Sequence, residues 1–442
     1  MFRLTSFCWL LFASLVSARE PQATKYPLAL PPLEIQERLK ALDFKVVSAI
    51  PTEERAFLEK IWKVKAEKPT PGSTTVDDAT LLNAMLFASG LTDDAKQKPY
   101  REKFAALVKR AKEAVKNAKT NRDKGEQLLV FLHKDVMAKG YELEQSSFSA
   151  VFDTGKFNCV SGTAMYCMVG QQLGLNVVPI SIPGGPYLVG HATVDLVDNK
   201  QRIEVETTNK DGFDWSTKIK KPGVIVLGLI PDRKNGHDVD TLGVATMIYS
   251  NRGVAQKKEE VTQQLAAVRY YVGALVLNPT DGSSLNNLLS VFINGGPKLA
   301  KEGKYEEATR LLSLGVSISP KSDPLLNNRK VVWSNYIEHL IGMGKDADAV
   351  AVIRRAAKEM PDGKEFQNAA DWFGRAASKL GKDAGWDEQL KVLERADKVL
   401  QKEEMKQLLK WRSEAFRQWS DSLLDKKDPA GSLKVLARGY RL

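Results

Sequence analysis

Three residue types in one stretch of this 442-residue chain are arranged for nucleophilic chemistry: a cysteine at 159, a histidine at 191 and glutamates at 204 and 206. Cys159 stands in Gly155-Lys-Phe-Asn-Cys-Val-Ser-Gly-Thr163, where a loop turns directly into an apolar helical run reaching Leu173. A thiol at a helix N-terminus faces unpaired N–H groups and the positive end of the helix dipole, and both favour thiolate over thiol. The competing reading is a buried structural cysteine, because free cysteines often behave as small hydrophobes.

The residues downstream of Cys159 bear on that choice. Leu175-Asn-Val-Val-Pro-Ile-Ser-Ile182 has the pattern of a buried strand; a Gly/Pro-rich turn, Pro183-Gly-Gly-Pro186, leads to two alternating runs, Val189 to Val197 and Lys200 to Glu206. Asp198-Asn199 reads as the tight turn of a hairpin. With Val197 opposite Lys200, Asp195 meets Arg202, Val194 meets Ile203, Ala192 meets Val205 and His191 meets Glu206. Sliding by one residue would exchange the strand's faces, so this register is expected. A carboxylate beside His191 would orient the ring and stabilise its imidazolium, leaving the other ring nitrogen to take the proton of a facing thiol. An ordinary ion pair on a sheet face is the plain alternative, and Glu204, on the same face as Glu206, is the competing acid.

Asn158-Cys-Val-Ser-Gly-Thr163, Gly190-His-Ala-Thr-Val194 and Ile203-Glu-Val-Glu-Thr-Thr208 together resemble the transglutaminase-like fold, a branch of the papain-like cysteine enzymes. The resemblance covers about Pro99 to Ile230. It implies an α+β core in which Cys159 is the nucleophile, His191 the base and Glu206 the orienting acid. Where the commonest family form has Asp followed by Pro-Thr, this chain has Glu206-Thr-Thr208. Backbone N–H groups at the start of the Cys159 helix are expected to receive the oxyanion, with Asn158 as candidate support.

Elsewhere the chain supplies elements rather than chemistry. Arg3 precedes the apolar run Phe7 to Val16, and Val16-Ser-Ala18 offers small residues for cleavage; the run is shorter than the ~20 residues of a membrane span, so residues 1–18 read as an export signal. The expected location is therefore periplasmic, cell-envelope or extracellular, with no transmembrane helix in the mature chain. Residues 19–95 read as a helical extension, with helices over Leu33 to Leu42 and Thr52 to Val64 and a linker at Lys68-Pro-Thr-Pro-Gly-Ser-Thr74. Residues 96–235 are the segment that the resemblance implies to be a transglutaminase-like domain. Past the signal only Cys159 and Cys167 carry thiols; on one helix, eight residues apart, their α-carbons would be roughly 12 Å from each other, too far for a disulfide.

The net charge of +11 raises the question of an anionic partner. The basic residues between Lys96 and Lys124 are interleaved with Phe104, Leu107, Val108, Ala111 and Val115 at helical spacing, so they read as a solvated helix face rather than a nucleic-acid site. An anionic envelope surface is the better-matched electrostatic partner. No cofactor is expected. His237 and His339 are isolated, His133 sits in an apolar helical run, and no Cys/His spacing supplies a metal site; nor is there a glycine-rich phosphate loop.

Residues 240–442 carry an internal repeat. Ala267, Tyr270, Tyr271, Ala274 and Pro279 recur 41 residues on as Ala308, Leu311, Leu312, Gly315 and Pro320, and again as Ala349, Val352, Ile353, Ala356 and Pro361. A fourth copy gives Gln389, Val392, Leu393 and Ala396, and a fifth Ser432, Val435, Leu436 and Gly439, with turns expected at Glu302-Gly303-Lys304, Gly342-Met-Gly344 and Gly381-Lys382. The pattern resembles the tetratricopeptide repeat, whose period is about 34 residues, and implies a C-terminal α-solenoid of helix pairs; an unspecialised helical bundle is the alternative. The fold class expected is thus α+β, a papain-like transglutaminase core with a helical lead-in, joined to a solenoid. Two functions fit: cysteine-dependent acyl transfer on peptide or protein amides, with the repeats holding substrate or a protein partner, or a catalytically silent peptide-binding scaffold. Adhesion to an anionic envelope by charge alone is a third.

Overall fold

The computed structural model describes residues 28–42, 44, 49–67, 76–184, 190–219, 233–256, 260–383 and 385–441. The segment expected to be an export signal and the expected Lys68–Thr74 linker lie outside the described residues. The chain divides into two compact units, Met1–Val291 with Ser317–Ser319, and Phe292–Val316 with Pro320–Leu442.

In the first unit the lead-in is helical: α1 (Pro32–Ala41), α2 (Thr52–Glu67), α3 (Asp78–Ala88), α4 (Asp94–Ala114) and α5 (Asn121–Asp135). The apolar face expected on α4 is the buried one, with Phe104, Leu107, Val108 and Ala111 in the core. A two-residue strand, β1 (Gly140–Tyr141), pairs in parallel with β2 (Lys156–Phe157) around the short helix α6 (Phe148–Thr154). Then comes α7 (Cys159–Gln172), the central helix. It carries no charged residue and is buried from Cys159 to Gly170, as expected of a helix enclosed on all sides. Its small residues permit that enclosure: a Cβ on Gly170 would already touch Val177, and one on Gly162 would press on Phe157 and Thr207 at 3.3 Å.

The sheet packs against α7. Strands β3 (Val177–Ile182), β4 (His191–Asp198), β5 (Gln201–Val205) and β6 (His237–Asp238) stand in the order β5-β4-β3-β6, each antiparallel to its neighbours. The hairpin register differs from the expected one by two residues: Val194 opposes Val205, Leu196 opposes Ile203 and Asp198 opposes Gln201. The turn is Asn199-Lys200, not Asp198-Asn199, because both of these central residues take positive φ, 48° and 65°, as a tight hairpin turn requires. A slip of two leaves every side chain on its expected face. Residues expected to sit opposite each other become diagonal neighbours, and Arg202 still reaches Asp195, at 2.5 Å from Nε to Oδ2.

After α8 (Trp215–Ile219) and β6, helices α9 (Thr241–Gln256) and α10 (Val261–Leu277) close the first unit; α9 packs on α3 and α7, and α10 on α1 and α9. α10 carries the first repeat copy, so the boundary between units falls inside α11 (Gly282–Lys301) rather than near residue 240. The second unit continues with α12 (Tyr305–Ile318), α13 (Asp323–Gly342), α14 (Asp346–Glu359), α15 (Ala369–Asp383), α16 (Trp386–Asp397), α17 (Met405–Asp425) and α18 (Pro429–Tyr440).

The repeat positions fall on alternate helices, α10, α12, α14, α16 and α18, and Pro279, Pro320 and Pro361 each lie two residues past a helix end. Small residues recur where neighbours come closest: a Cβ on Gly315 would sit 2.8 Å from Leu325 and 2.9 Å from Phe292. Gly303 and Gly344 take positive φ in the turns expected of them. The third expected turn is displaced. Gly381 and Lys382 continue α15, and the positive-φ residue is Gly385, which precedes α16.

Candidate active site

Asn158 shapes the start of α7. Its Oδ1 accepts the Val160 and Ser161 N–H groups at 2.9 and 3.1 Å, and the Ser161 hydroxyl accepts the Asn158 N–H at 2.9 Å, a reciprocal capping box. Its amide NH2 donates to the Leu143 carbonyl and the Ser146 hydroxyl, both at 2.8 Å. With donors and acceptor all engaged and the residue 3% exposed, Asn158 has no hydrogen left for a substrate oxyanion. It acts on the structure by fixing where α7 begins, which places Cys159 at the first helical position.

His191 opens β4, and its ring lies between the thiol of Cys159 and the carboxylate of Glu206. Nε2 is 2.8 Å from Glu206 Oε2, so Nδ1 is the nitrogen left to face the thiol, whose charge acts on the ring. All three groups are shielded from solvent: Cys159 is 8% exposed, and the His191 and Glu206 side chains are 12% and 3% exposed. In the observed register His191 and Glu206 are diagonal rather than opposite, a separation that long side chains span and short ones do not. The extra methylene of glutamate over aspartate supplies that reach.

The electrostatics are set by this enclosure. Burial disfavours the charged imidazolium, but the hydrogen bonds to Cys159 and Glu206 and the charges on both outweigh it, and the His191 ring is pushed up to about 10. Burial likewise works against the Glu206 carboxylate. The bond and charge of His191, with the Thr208 hydroxyl and N–H donating to Oε1 at 2.6 and 3.0 Å, nevertheless hold it below the ordinary range.

Glu204 is elsewhere in this network. It opposes Asp195 across the hairpin, and its Oε1 is 3.2 Å from Arg233 Nη1 in an ion-pair cluster with Arg202 and Asp238. Cys167 is fully buried, unpaired, and held protonated by its apolar surroundings. His133, its pKa lowered by burial, donates from Nε2 to the Thr207 carbonyl at 3.0 Å and meets Phe157 edge-on; it braces the loop after Glu206. His237 pairs at the sheet edge in β6, and His339 lies beside Tyr305 in the second unit. Among the described residues no group of three or more His, Cys, Asp or Glu is placed to hold a metal, and no helix is long and apolar enough to cross a membrane.

Two residues near the site are given no role by sequence reasoning. Thr208 has a weak signal, since a hydroxyl two residues after a buried acid is well placed to bond it. Tyr141 has none. The two-residue pairing of β1 with β2 sets Tyr141 against Phe157, ring to ring at 6.2 Å, two residues before Cys159. Burial, then the charge and hydrogen bond of Cys159, push this phenol up to about 12.

A scan against protein-family models and a search of curated proteins each gave no match to this chain.

Proposed function

We propose that the chain is an exported cysteine-dependent acyl-transfer enzyme of transglutaminase-like type, acting on peptide or protein amide bonds, with the helix-pair repeats serving to hold substrate or a protein partner. The observation that carries this reading is the solvent-shielded His191–Glu206 hydrogen bond, at 2.8 Å, on the sheet that packs against α7, the helix that Cys159 opens. The Cys159 sulfur, its proton already passed to His191, attacks the amide carbonyl carbon. As the C–N bond breaks, His191 returns that proton to the leaving amine, and a thioester on Cys159 remains. Water or a second amine then attacks the thioester, giving hydrolysis or cross-linking. Glu206, fixed by Thr208, keeps Nε2 protonated and Nδ1 facing the thiol throughout.

Support for the repeats' part is the open pocket of about 240 Å³ in the second unit, where Tyr305 stacks on Tyr336 beside His339 and Met343. Stacked rings with a half-exposed methionine are surfaces on which side chains of another polypeptide pack.

The test is iodoacetamide alkylation of the full chain against pH, read at each cysteine by mass spectrometry, in wild type and in His191→Ala. The expected outcome is rapid modification of Cys159 at neutral pH, lost in His191→Ala, with Cys167 unmodified in both. A Cys159 that is inert, or equally reactive without His191, would refute the enzymatic reading and favour the peptide-binding scaffold.

A further inference from the structure

We infer that the outward face of α18 docks an amphipathic helix of a partner protein, one whose apolar stripe is flanked by acidic residues. This deepens the partner-holding half of the proposed function and does not depend on the chemistry at Cys159. The recurring apolar pair of the repeat ends in Leu312 on α12, Ile353 on α14 and Leu393 on α16, which are 0%, 1% and 1% exposed. On α18 the same position is Leu436, and it is 44% exposed. The small residue one turn further on shows the same difference. Gly315 is enclosed by Phe292 of the helix before it and Leu325 of the helix after it, whereas the atoms nearest a Cβ on Gly439 all belong to Phe416 of α17, the helix before. Likewise α14 packs on α15, and α16 on α17. In each of these copies the following helix lies over the face; among the described residues none follows α18 to do so.

The uncovered face has the form of a helix seam. Leu433, Leu436 and Tyr440, all exposed, stand at helical spacing and make one stripe about two turns long. A stack of repeats requires a polar outer face where it meets water, and this one is apolar. Charge selects the occupant. From Pro429 to Arg441 there is no acidic residue, while Lys434, Arg438 and Arg441 recur at helical spacing. Of these three, Arg438 alone has an acidic partner among the described residues, Asp387 at 3.3 Å in an exposed pair. A helix with Glu or Asp beside its apolar stripe would meet these cations at the rim, which speeds encounter and fixes register. A second copy of the chain would instead set one basic row against another, with a net charge of +11 on each chain.

The probes are two fluorescein-labelled synthetic amphipathic peptides that share a leucine stripe and carry either glutamates or lysines beside it. Anisotropy titrations use the full chain as wild type, as Leu433→Gln with Leu436→Gln, and as Lys434→Glu with Arg441→Glu. All four positions are exposed, so both variants keep the fold, which circular dichroism checks. Losing two leucines from the seam is expected to weaken the glutamate peptide at least about tenfold. Wild type is expected to prefer the glutamate peptide over the lysine peptide, and Lys434→Glu with Arg441→Glu to abolish or reverse that preference. Alkylation of Cys159 by iodoacetamide should be unchanged in both variants, so failure at this surface leaves the acyl-transfer reading standing, and an inert Cys159 leaves this surface standing. No binding of the glutamate peptide, equal binding of both peptides, or binding indifferent to the leucine substitutions overturns the inference. A wild-type dimer in sedimentation velocity that the leucine variant turns monomeric overturns it in favour of a second copy. Co-sedimentation with phosphatidylglycerol vesicles in place of peptide binding, lost in the leucine variant, overturns it in favour of a lipid surface.

Discussion

Replacing Glu206 tests the site at its most enclosed point. Glu206→Gln keeps an acceptor for His191 Nε2 and removes the charge. The cost is therefore the difference between a charge-assisted bond of about 1.5–3 kcal/mol and a neutral one of about 0.5–1.5 kcal/mol. That difference, about 1–1.5 kcal/mol, predicts an alkylation of Cys159 by iodoacetamide slowed about 5–10-fold at about pH 7. Glu206→Asp keeps the charge but gives up one methylene, ~1.5 Å of reach, across a diagonal now closed at 2.8 Å; a loss comparable with that of Glu206→Gln is expected. Glu204→Gln breaks only a contact with the part-exposed Arg233, in the class worth about 0.2–1 kcal/mol, and should leave alkylation within about twofold of wild type. Equal effects from the substitutions at 204 and 206 would refute the assignment of Glu206 as the orienting acid.

The same network sets two further outcomes. The raised His191 contributes stability that is complete below its ordinary value of 6.5 and lost as pH climbs through about 10, whereas the lowered Glu206 contributes above 4.5 and loses its contribution as pH falls through its folded value. The difference in Tm between wild type and His191→Ala should accordingly be largest at about pH 4.5–6.5 and close towards about pH 10; a flat difference would count against the buried ion pair. Gly212→Ala should unsettle the loop that holds Glu206, since the new Cβ would collide with the Glu206 carbonyl oxygen where Glu206 N–H donates to Gly212 at 2.9 Å. Circular-dichroism melting should show a lowered Tm and alkylation of Cys159 should slow, while Gly282→Ala, with open space around it, changes neither.

How much of the site could be read from the sequence depended on whether a residue's neighbours were set by a period or by an irregular contact. Cys159 at a helix start, and His191 and Glu206 on one face of a hairpin, are consequences of local patterning: a cap, an apolar run, an alternation. They survive the two-residue error in register because a strand's faces repeat every two residues, so the pair moved from opposite to diagonal without changing sides. The helical pattern of residues 240–442 was legible for a similar reason, because Ala308, Ala349 and their equivalent Ala267 are fully buried positions that recur at a fixed spacing. What failed was what no period governs. The Asn199-Lys200 turn depends on a lysine accepting positive φ, for which its side chain gives no cue, and α15 runs through Gly381 because a lone glycine weakens a helix without ending it. Tyr141 is the extreme case. It is brought beside the start of α7 by a pairing only two residues long, β1 with β2, in which the partner strand ends at Phe157, next to the Asn158 cap, a contact too short to leave a pattern in the sequence.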